Sequence, residues 1–252
     1  MMAFFRLSTW ALSAVLVLLA GQAGATTAYG TYVGPNVTYS NMQETSTSGD
    51  PEPIWEAPTG SGNQLLFFPT NFRANAAGAG GFDHIGSQFQ TLILGTSGTD
   101  VLTQFNITEF GDAQIAGFGV GASTGTFASM AGFLTVLEDI DGPLPVAVVI
   151  PFTGVFAPSD TLTFGANLGT TIWSATASVN IASYVPNATK VQLSLDNDLY
   201  AFSEAGTSAA IQKKVVSGPA VIVEVIPEPG TAILVGGGLM IMSLRGRRNR
   251  AA

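Results

Sequence analysis

The chain has no cysteine and one histidine, and both shortages exclude whole classes of function. Without cysteine there is no disulfide to stabilise the fold. With His84 as the lone histidine, a zinc site of ordinary composition cannot be built. A Ser-His-Asp hydrolase would have to use His84, and the sequence has no Gly-x-Ser-x-Gly nucleophile elbow. We therefore interpret His84 as a loop residue without a catalytic role.

Positive charge is also scarce in the central part of the chain. Residues 26–230 contain all 17 acidic residues of the chain and only four of its basic residues. The formal charge of this body is therefore −13, against −8 for the whole chain. A strongly acidic surface argues against nucleic acid and anionic lipid as partners. Cations, neutral glycans and basic surfaces remain compatible with this charge.

Long helical patterns are missing from the body, which instead shows short strand patterns between turn residues. In residues 101–110 the apolar side chains Val101, Phe105 and Ile107 fall on one face, the period of a half-buried strand. Similar runs recur along the body with Gly, Pro and Asp between them. The pattern predicts one all-β domain over residues 26–226, an antiparallel β-sandwich of about nine to twelve strands, with a jelly roll as one form of it.

Clusters of turn-forming residues predict where the strands of the body end. These clusters are Gly111-Asp112, Asp141-Gly142-Pro143, Pro158-Ser159-Asp160 and Asp196-Asn197-Asp198. Residues 111–131 are rich in Gly, Ala and Ser and fit either a loop or a short helix. Residues 26–63 contain few large apolar groups, so we expect an irregular leader with one or two edge strands.

Two acidic clusters offer oxygen ligands. Asp139 and Asp141 form one, and Asp196 and Asp198 form the other. Ca²⁺ favours carboxylate oxygens presented on a turn, so these four aspartates are candidate Ca²⁺ ligands. The alternative is turn chemistry alone, since Asp and Asn favour tight turns by bonding their own backbone. No other cofactor is expected.

Three aromatic residues are candidates for stacking against sugars: Trp55, Trp173 and Tyr184. Trp173 lies between apolar neighbours, and we expect it in the core because large aromatic side chains are mostly buried. A glycosidase would need two carboxylates facing each other across a cleft. The sequence contains enough acids for such a pair but marks none of them.

The N-terminus has the three-part order of a secretory signal. Arg6 supplies positive charge, residues 7–20 are mostly apolar, and Ala23-Gly24-Ala25 is a small-x-small cleavage site. This order predicts a signal helix within residues 1–25 and cleavage after Ala25. A retained anchor is the alternative, but the apolar stretch is short for one.

The C-terminus contains three sequence elements in a fixed order. Pro227-Glu228-Pro229 is followed by an apolar run over residues 231–244 and then by four arginines. The arginines are Arg245, Arg247, Arg248 and Arg250. Proline ends a strand, the apolar run can enter a bilayer, and arginines stay on the cytoplasmic side. As a helix the run spans about 21 Å against about 30 Å of hydrocarbon, which suits a separate transmembrane helix held only transiently.

This tail resembles the PEP-CTERM sorting signal of Gram-negative bacteria, over residues 227–250. The resemblance implies recognition and processing by an exosortase, a membrane-embedded protease. It also implies passage through the inner membrane and delivery to the cell surface or the extracellular polysaccharide matrix. The stretch from Lys190 onwards is similar to the end of the ectodomain in such proteins, which implies no particular activity. The expected segments are a signal peptide (1–25), a β-sandwich ectodomain (26–226) and a sorting segment (227–252).

Two function classes therefore remain open. The first is a non-enzymatic exported protein of the surface or of the exopolysaccharide matrix. The second is a secreted β-sandwich that binds or cleaves glycans. Three exposed aromatic side chains in a line, or two carboxylates facing each other in a cleft, would favour the second class.

Overall fold

The computed structural model describes residues 26–98, 100–118, 123–214 and 218–228. Over these ranges the chain is all-β, apart from one 3₁₀ turn at Ile181–Ser183. The strands of the described ranges are β1 (Thr26–Val33), β2 (Val37–Ser46), β3 (Thr59–Ser61), β4 (Gln64–Phe67), β5 (Arg73–Ala77), β6 (Gly81–Gly95), β7 (Leu102–Gly117), β8 (Gly125–Asp139), β9 (Gly142–Thr153), β10 (Val155–Ala157), β11 (Thr161–Thr163), β12 (Gly169–Asn180), β13 (Ala188–Ser203), β14 (Thr207–Lys213) and β15 (Val221–Pro227).

Several predicted features lie outside the described residues. They are the signal helix with Ala23 and Ala25, Pro229, and the C-terminal helix with Arg245, Arg247, Arg248 and Arg250. Within the described ranges, no helix is long and apolar enough to cross a membrane.

The strands form two antiparallel sheets that pack face to face. Among the described residues, sheet A has seven strands in the order β1-β2-β6-β13-β8-β11, and β9 also pairs with β8. Sheet B has eight, in the order β10-β12-β7-β15-β4-β3, while β14 pairs with β5 and β7. Phe67 of β4 and Phe89 of β6 meet between the sheets, with ring centroids 5.0 Å apart. These contacts confirm the predicted antiparallel β-sandwich.

The alternation predicted for residues 101–110 is confirmed in β7, but the strand does not end at Gly111-Asp112. Phe105 and Ile107 are buried, and β7 continues to Gly117 beside β12 and β14. The predicted turn is wrong because Gly111 makes room for a neighbouring side chain instead of bending the chain. A Cβ at Gly111 would lie 2.4 Å from the Trp173 ring. Of the described residues in this range, 111–117 form the end of β7 and 125–131 the first half of β8.

The turn predicted at Asp196-Asn197-Asp198 is also wrong, because all three residues lie in the middle of β13. Leu195 and Leu199 are fully buried on the two sides of the triplet, so the apolar period of two runs through it. β13 is paired with β6 and β8 along its length, and this context overrides the turn preference of Asp and Asn. The predicted turns near Asp141 and at residues 158–160 are confirmed.

The described ranges contain fifteen strands, more than the predicted nine to twelve. Three of them, β3, β10 and β11, have three residues each, too few to show an alternating pattern. The leader, residues 26–63, is more regular than expected. It supplies three strands: β1 at the edge of sheet A, β2 next to it in an interior position, and β3 at the edge of sheet B.

Trp55 lies in the connection between β2 and β3 and fills the core between the sheets. It is fully buried, and its ring centroid lies 5.3 Å from Phe67, 5.6 Å from Phe72 and 5.8 Å from Phe89. Trp55 therefore cannot stack against a sugar, and its prediction as a sugar-stacking residue is wrong. The core position expected for Trp173 is confirmed, since only 2% of it is exposed.

Candidate functional site

The outer face of sheet A carries a group of aromatic side chains. Successive residues of a strand point to opposite faces, and the odd-numbered residues of β13 point into the core, so the even-numbered ones face outwards. The register places Tyr200 between His84 of β6 and Phe127 of β8, and Phe202 beside Phe82. We call these five residues the aromatic platform.

Tyr200 is the centre of the aromatic platform. Its ring stacks on His84 at 4.2 Å with an interplanar angle of 7°, and lies 5.7 Å from Phe127. Phe82 and Phe202 are each 6.4 Å from Tyr200 and 5.3 Å from one another. Phe82 is 61% exposed and Phe202 38%. Because the rings contact one another at distances typical of aromatic pairs, they hold a preformed apolar surface in contact with solvent.

A polar strip follows the aromatic platform along the same face. Asp198 Oδ1 lies 2.9 Å from His84 Nε2, and the Ser129 hydroxyl donates to Asp198 Oδ2 at 3.1 Å. Two residues along β13, Asp196 accepts a hydrogen bond of 2.9 Å from the Gln88 amide. We call the following set the polar strip: Gln43, Gln88, Gln90, Ser129, Asp196 and Asp198.

Gly86 gives Asp198 its position. It pairs with Asp198 in the β6–β13 register, so a side chain at residue 86 would point to the same outer face. A Cβ there would lie 2.2 Å from Asp198 Oδ1, 2.5 Å from Thr47 Oγ1 and 3.0 Å from His84 Nε2. The missing side chain therefore leaves the space that the Asp198 carboxylate occupies when it meets His84.

Burial and the local acids tune the ionisable groups of this face. Burial raises the pKa of the Asp196 carboxyl and the Asp198 charge raises it further, while the hydrogen bond from Gln88 lowers it. Burial and the Asp198 charge also raise the pKa of Tyr200 above its ordinary value, so its hydroxyl stays protonated at neutral pH. The face thus presents a hydroxyl donor, amides and carboxylates next to apolar rings.

The polar strip continues into a shallow depression of about 550 Å³ near β1 and β2. Gln43, Gln90, Leu92 and Gln192 are among its lining residues. From Phe202 to Gln192, β13 covers about 33 Å at a rise of about 3.3 Å per residue. An open surface of this length suits an elongated ligand lying along β13 better than a small enclosed molecule.

The Ca²⁺ candidates do not come together in the described residues. Asp139 accepts a hydrogen bond of 2.8 Å from the backbone of Asp141, which is the turn chemistry given as the alternative. Asp139 pairs with Ala188, the first residue of β13, whereas Asp198 lies in the middle of that strand. Within the described ranges there is no group of three or more His, Asp or Glu side chains that could hold a metal ion. Asp196 and Asp198 lie on one strand face, and so they do not oppose each other across a cleft.

The structure places His84 in a strand and Tyr184 at a turn. His84 belongs to β6 instead of a loop, and its ring is part of the aromatic platform. Tyr184 is 58% exposed but caps the 3₁₀ turn before β13, away from the aromatic platform. Sequence reasoning predicted a strand over residues 199–203 but missed Tyr200 and Phe202 as a functional pair, although two aromatic residues spaced by two share one face of a strand. The rings that complete the aromatic platform come from β6 and β8, and the sequence does not show this pairing.

No family model matches the chain, and no curated protein matches its sequence. Solved structures with some likeness include TmCBM61 in complex with β-1,4-galactotriose, at 5% identity and a TM-score of 0.21, covering 73% of this chain and 82% of that one. A loop-swap mutant of Xyn11A from Neocallimastix patriciarum has 8% identity, a TM-score of 0.20 and coverages of 82% and 97%. The CBM3a-L domain of the scaffoldin CipA from Clostridium thermocellum has 13% identity, a TM-score of 0.23 and coverages of 66% and 88%. Scores this low assign neither a fold family nor a function.

Proposed function

We propose that this is an exported surface or matrix protein whose β-sandwich binds a neutral carbohydrate chain on the outer face of sheet A. The observation that carries the binding function is the aromatic platform in line with the polar strip. Three of its rings, Phe82, Tyr200 and Phe202, lie within 6.4 Å of one another and face outwards. Their centroids form a compact triangle instead of the line named above as a mark of a glycan-binding sandwich. The proposal therefore rests on the contiguous apolar surface that the rings form beside the polar strip.

The outer face of sheet A offers both apolar and polar groups, and a sugar chain can contact both. Exposed apolar patches of contiguous aromatics mark interaction sites, because leaving such area in water is unfavourable. The ring face of a sugar is apolar and can cover Tyr200, while its hydroxyl groups both donate and accept. Asp196 and Asp198 accept such bonds, and Gln88 and Gln90 do both. The acidic body disfavours anionic ligands, so a neutral glycan is the fitting class.

Export and sorting rest on the two ends of the chain. The signal order before Ala25 supports secretion, and the Pro227-Glu228-Pro229 motif with its apolar run and arginines supports an exosortase as the processing partner. β15 ends at Pro227, and Glu228, which is exposed, makes a last backbone hydrogen bond to Val101. Pro227 is thus the last paired residue of sheet B, and the proposed cleavage strip would begin at the exposed Glu228 that follows it.

Tyr200→Ala is expected to weaken glycan binding by about 30-fold, since an aromatic anchor at the centre of an interface is worth about 2 kcal/mol or more. The measurement is affinity electrophoresis of the purified body in gels containing neutral β-glucan, xylan or galactan, or the exopolysaccharide of the producing cells. Tyr184→Ala, which removes an exposed tyrosine away from the aromatic platform, should migrate like the parent protein.

The binding function would be wrong if no polysaccharide retarded the parent protein, or if Tyr200→Ala and Tyr184→Ala behaved alike. Retention of the parent by a protein partner alone would assign the same face to protein recognition instead. Melting curves of both variants show whether a loss of binding reflects a loss of fold.

Changes in the tail should give two different sorting defects. Replacing Arg245, Arg247, Arg248 and Arg250 with Ser should let the tail slide through the membrane before processing, since each arginine costs roughly 2.5 to 3.5 kcal/mol at the bilayer centre. Pro227→Ala with Glu228→Ala should leave an uncut precursor in the membrane. Fractionation and mass spectrometry of the exported protein distinguish release from retention. Processing like the parent in both variants would refute the sorting function, and an N-terminus other than Thr26 would refute cleavage after Ala25.

A further inference from the structure

A charged side chain is sealed between the two sheets, away from the aromatic platform. Lys213 of β14 and Glu109 of β7 come from sheet B, and Asn197 of β13 comes from sheet A. Each of the three is 1% exposed. Lys213 Nζ donates to Glu109 Oε2 at 2.5 Å and to Asn197 Oδ1 at 2.6 Å. The lysine amine thus contacts a carboxylate and a carboxamide at the same time, in the centre of the sandwich.

The surroundings of this amine are apolar. The Trp55 and Phe72 rings lie 5.1 Å and 4.9 Å from Lys213 Nζ. Burial lowers the pKa of the Lys213 ammonium, and the Glu109 carboxylate opposes that shift. A lysine desolvated in this way can lose its proton and act as a nucleophile.

Both hydrogen-bond partners of Lys213 have a second polar atom that a purely structural contact leaves without a hydrogen bond. Asn197 Nδ2 and Glu109 Oε1 are buried and make no hydrogen bond. A buried polar atom without a partner costs free energy, and such atoms in a native core call for an explanation. A reaction in which Asn197 loses its Nδ2 and Glu109 carries protons would account for both atoms.

We propose that Lys213 and Asn197 form an intramolecular isopeptide bond that joins sheet B to sheet A, with Glu109 as the proton carrier. This modification is independent of glycan binding and of sorting. It gives an exported chain without cysteine a covalent link between its sheets.

The reaction balances without any oxidant or co-reactant. Glu109 takes a proton from the Lys213 ammonium, and the neutral amine attacks Cγ of Asn197. A C–N bond forms, the C=O electron pair moves to oxygen, and the Glu109 acid protonates that oxygen. Glu109 then carries a proton from the new C–N nitrogen to Nδ2, the Cγ–Nδ2 bond breaks, and ammonia leaves as the hydroxyl returns its proton to Glu109. The products are a secondary amide and one ammonia.

The observed geometry is close to the one that attack requires. The amide carbon is one C=O bond of about 1.2 Å from Oδ1, so Lys213 Nζ lies within about 4 Å of Cγ. Productive attack needs about 3 to 3.5 Å, so a small displacement of either side chain suffices. Folding itself assembles the site, because Asn197 and Lys213 come from different sheets.

The test is the intact mass of the protein purified from the cells that produce it, after its two termini have been identified. The parent protein should be about 17 Da lighter than the sequence between those termini, the mass of one ammonia. Fragmentation of a protease digest should yield a branched peptide linking Asn197 to Lys213. Glu109→Gln, which has nearly the same shape but cannot carry protons, and Lys213→Met should both restore the full mass. Lys190→Met, which breaks the surface pair with Glu138, should retain the deficit.

A parent protein of full mass, with Asn197 and Lys213 in separate peptides, would overturn the inference. A deficit that persisted in Lys213→Met would overturn it as well, because the ammonia would then come from another residue. The branched peptide is read from the parent protein, so the test remains decisive even if a variant fails to fold.

Discussion

Trp55→Ala is expected to lower the free energy of unfolding by about 3 to 5 kcal/mol, the range for deleting a large buried aromatic side chain. Trp55 is fully buried and contacts Phe67 of sheet B, Phe89 of sheet A and Phe72, which lies between β4 and β5. The loss combines the transfer of the indole to water with a cavity that these rings cannot collapse to fill. Equilibrium unfolding in urea, followed by circular dichroism, measures the change.

Two matched variants control for this effect. Trp55→Phe keeps a ring in the aromatic cluster and should be clearly milder than the alanine variant. Tyr184→Ala removes an exposed ring and should stay within about 0.5 kcal/mol of the parent protein. Equal unfolding midpoints for Trp55→Ala and Tyr184→Ala would show that Trp55 does not hold the core together.

Glu44→Ala should destabilise the protein by about 2 to 6 kcal/mol, although it removes a polar side chain. The Glu44 carboxylate is fully buried and accepts hydrogen bonds from the backbone N–H groups of Ile54 at 2.6 Å and Trp55 at 2.8 Å. The Tyr29 hydroxyl donates to it at 2.6 Å. Without the carboxylate, two buried N–H groups lose their partner, at a cost of about 1 to 3 kcal/mol each.

The control for Glu44→Ala is Glu138→Ala, which removes a partly exposed carboxylate paired with Lys190. Surface pairs of this kind are worth about 1 kcal/mol or less. Since Glu44 holds the backbone of Trp55, the variant lacking both side chains should lose less stability than the two single changes together. Full additivity would mean that Glu44 acts independently of Trp55.

The alternation of apolar residues was enough to predict the sandwich, because it depends on local spacing alone. Val101, Phe105 and Ile107 lie as expected. The prediction failed at Gly111 and at residues 196–198, where turn-forming residues interrupt a run whose apolar residues keep the period of a strand. There the turn preference of Gly, Asp and Asn was overridden by pairing with strands far away in sequence.

The functional face depends on such distant pairing and could not be located from the sequence. Tyr200 meets His84 and Phe127 only because β13 lies between β6 and β8 in a particular register. The buried charge had a local signal, however. Spacing by two places Glu109 on the same inward face as Phe105 and Ile107, and an acid at a core position indicates a partner that the sequence alone does not name.

The position of β15 determines how the domain would respond to tension. β15 is an interior strand, paired with β7 on one side and β4 on the other, and the chain leaves it at Pro227. Ladder hydrogen bonds run perpendicular to the strands, so a pull along β15 loads them together in shear. A pull across an edge strand such as β1 would instead break its bonds one after another. If the body were tethered through the residues after Glu228, hydrodynamic drag would pull along β15. The hydrogen bonds of sheet B resist a force best in that direction.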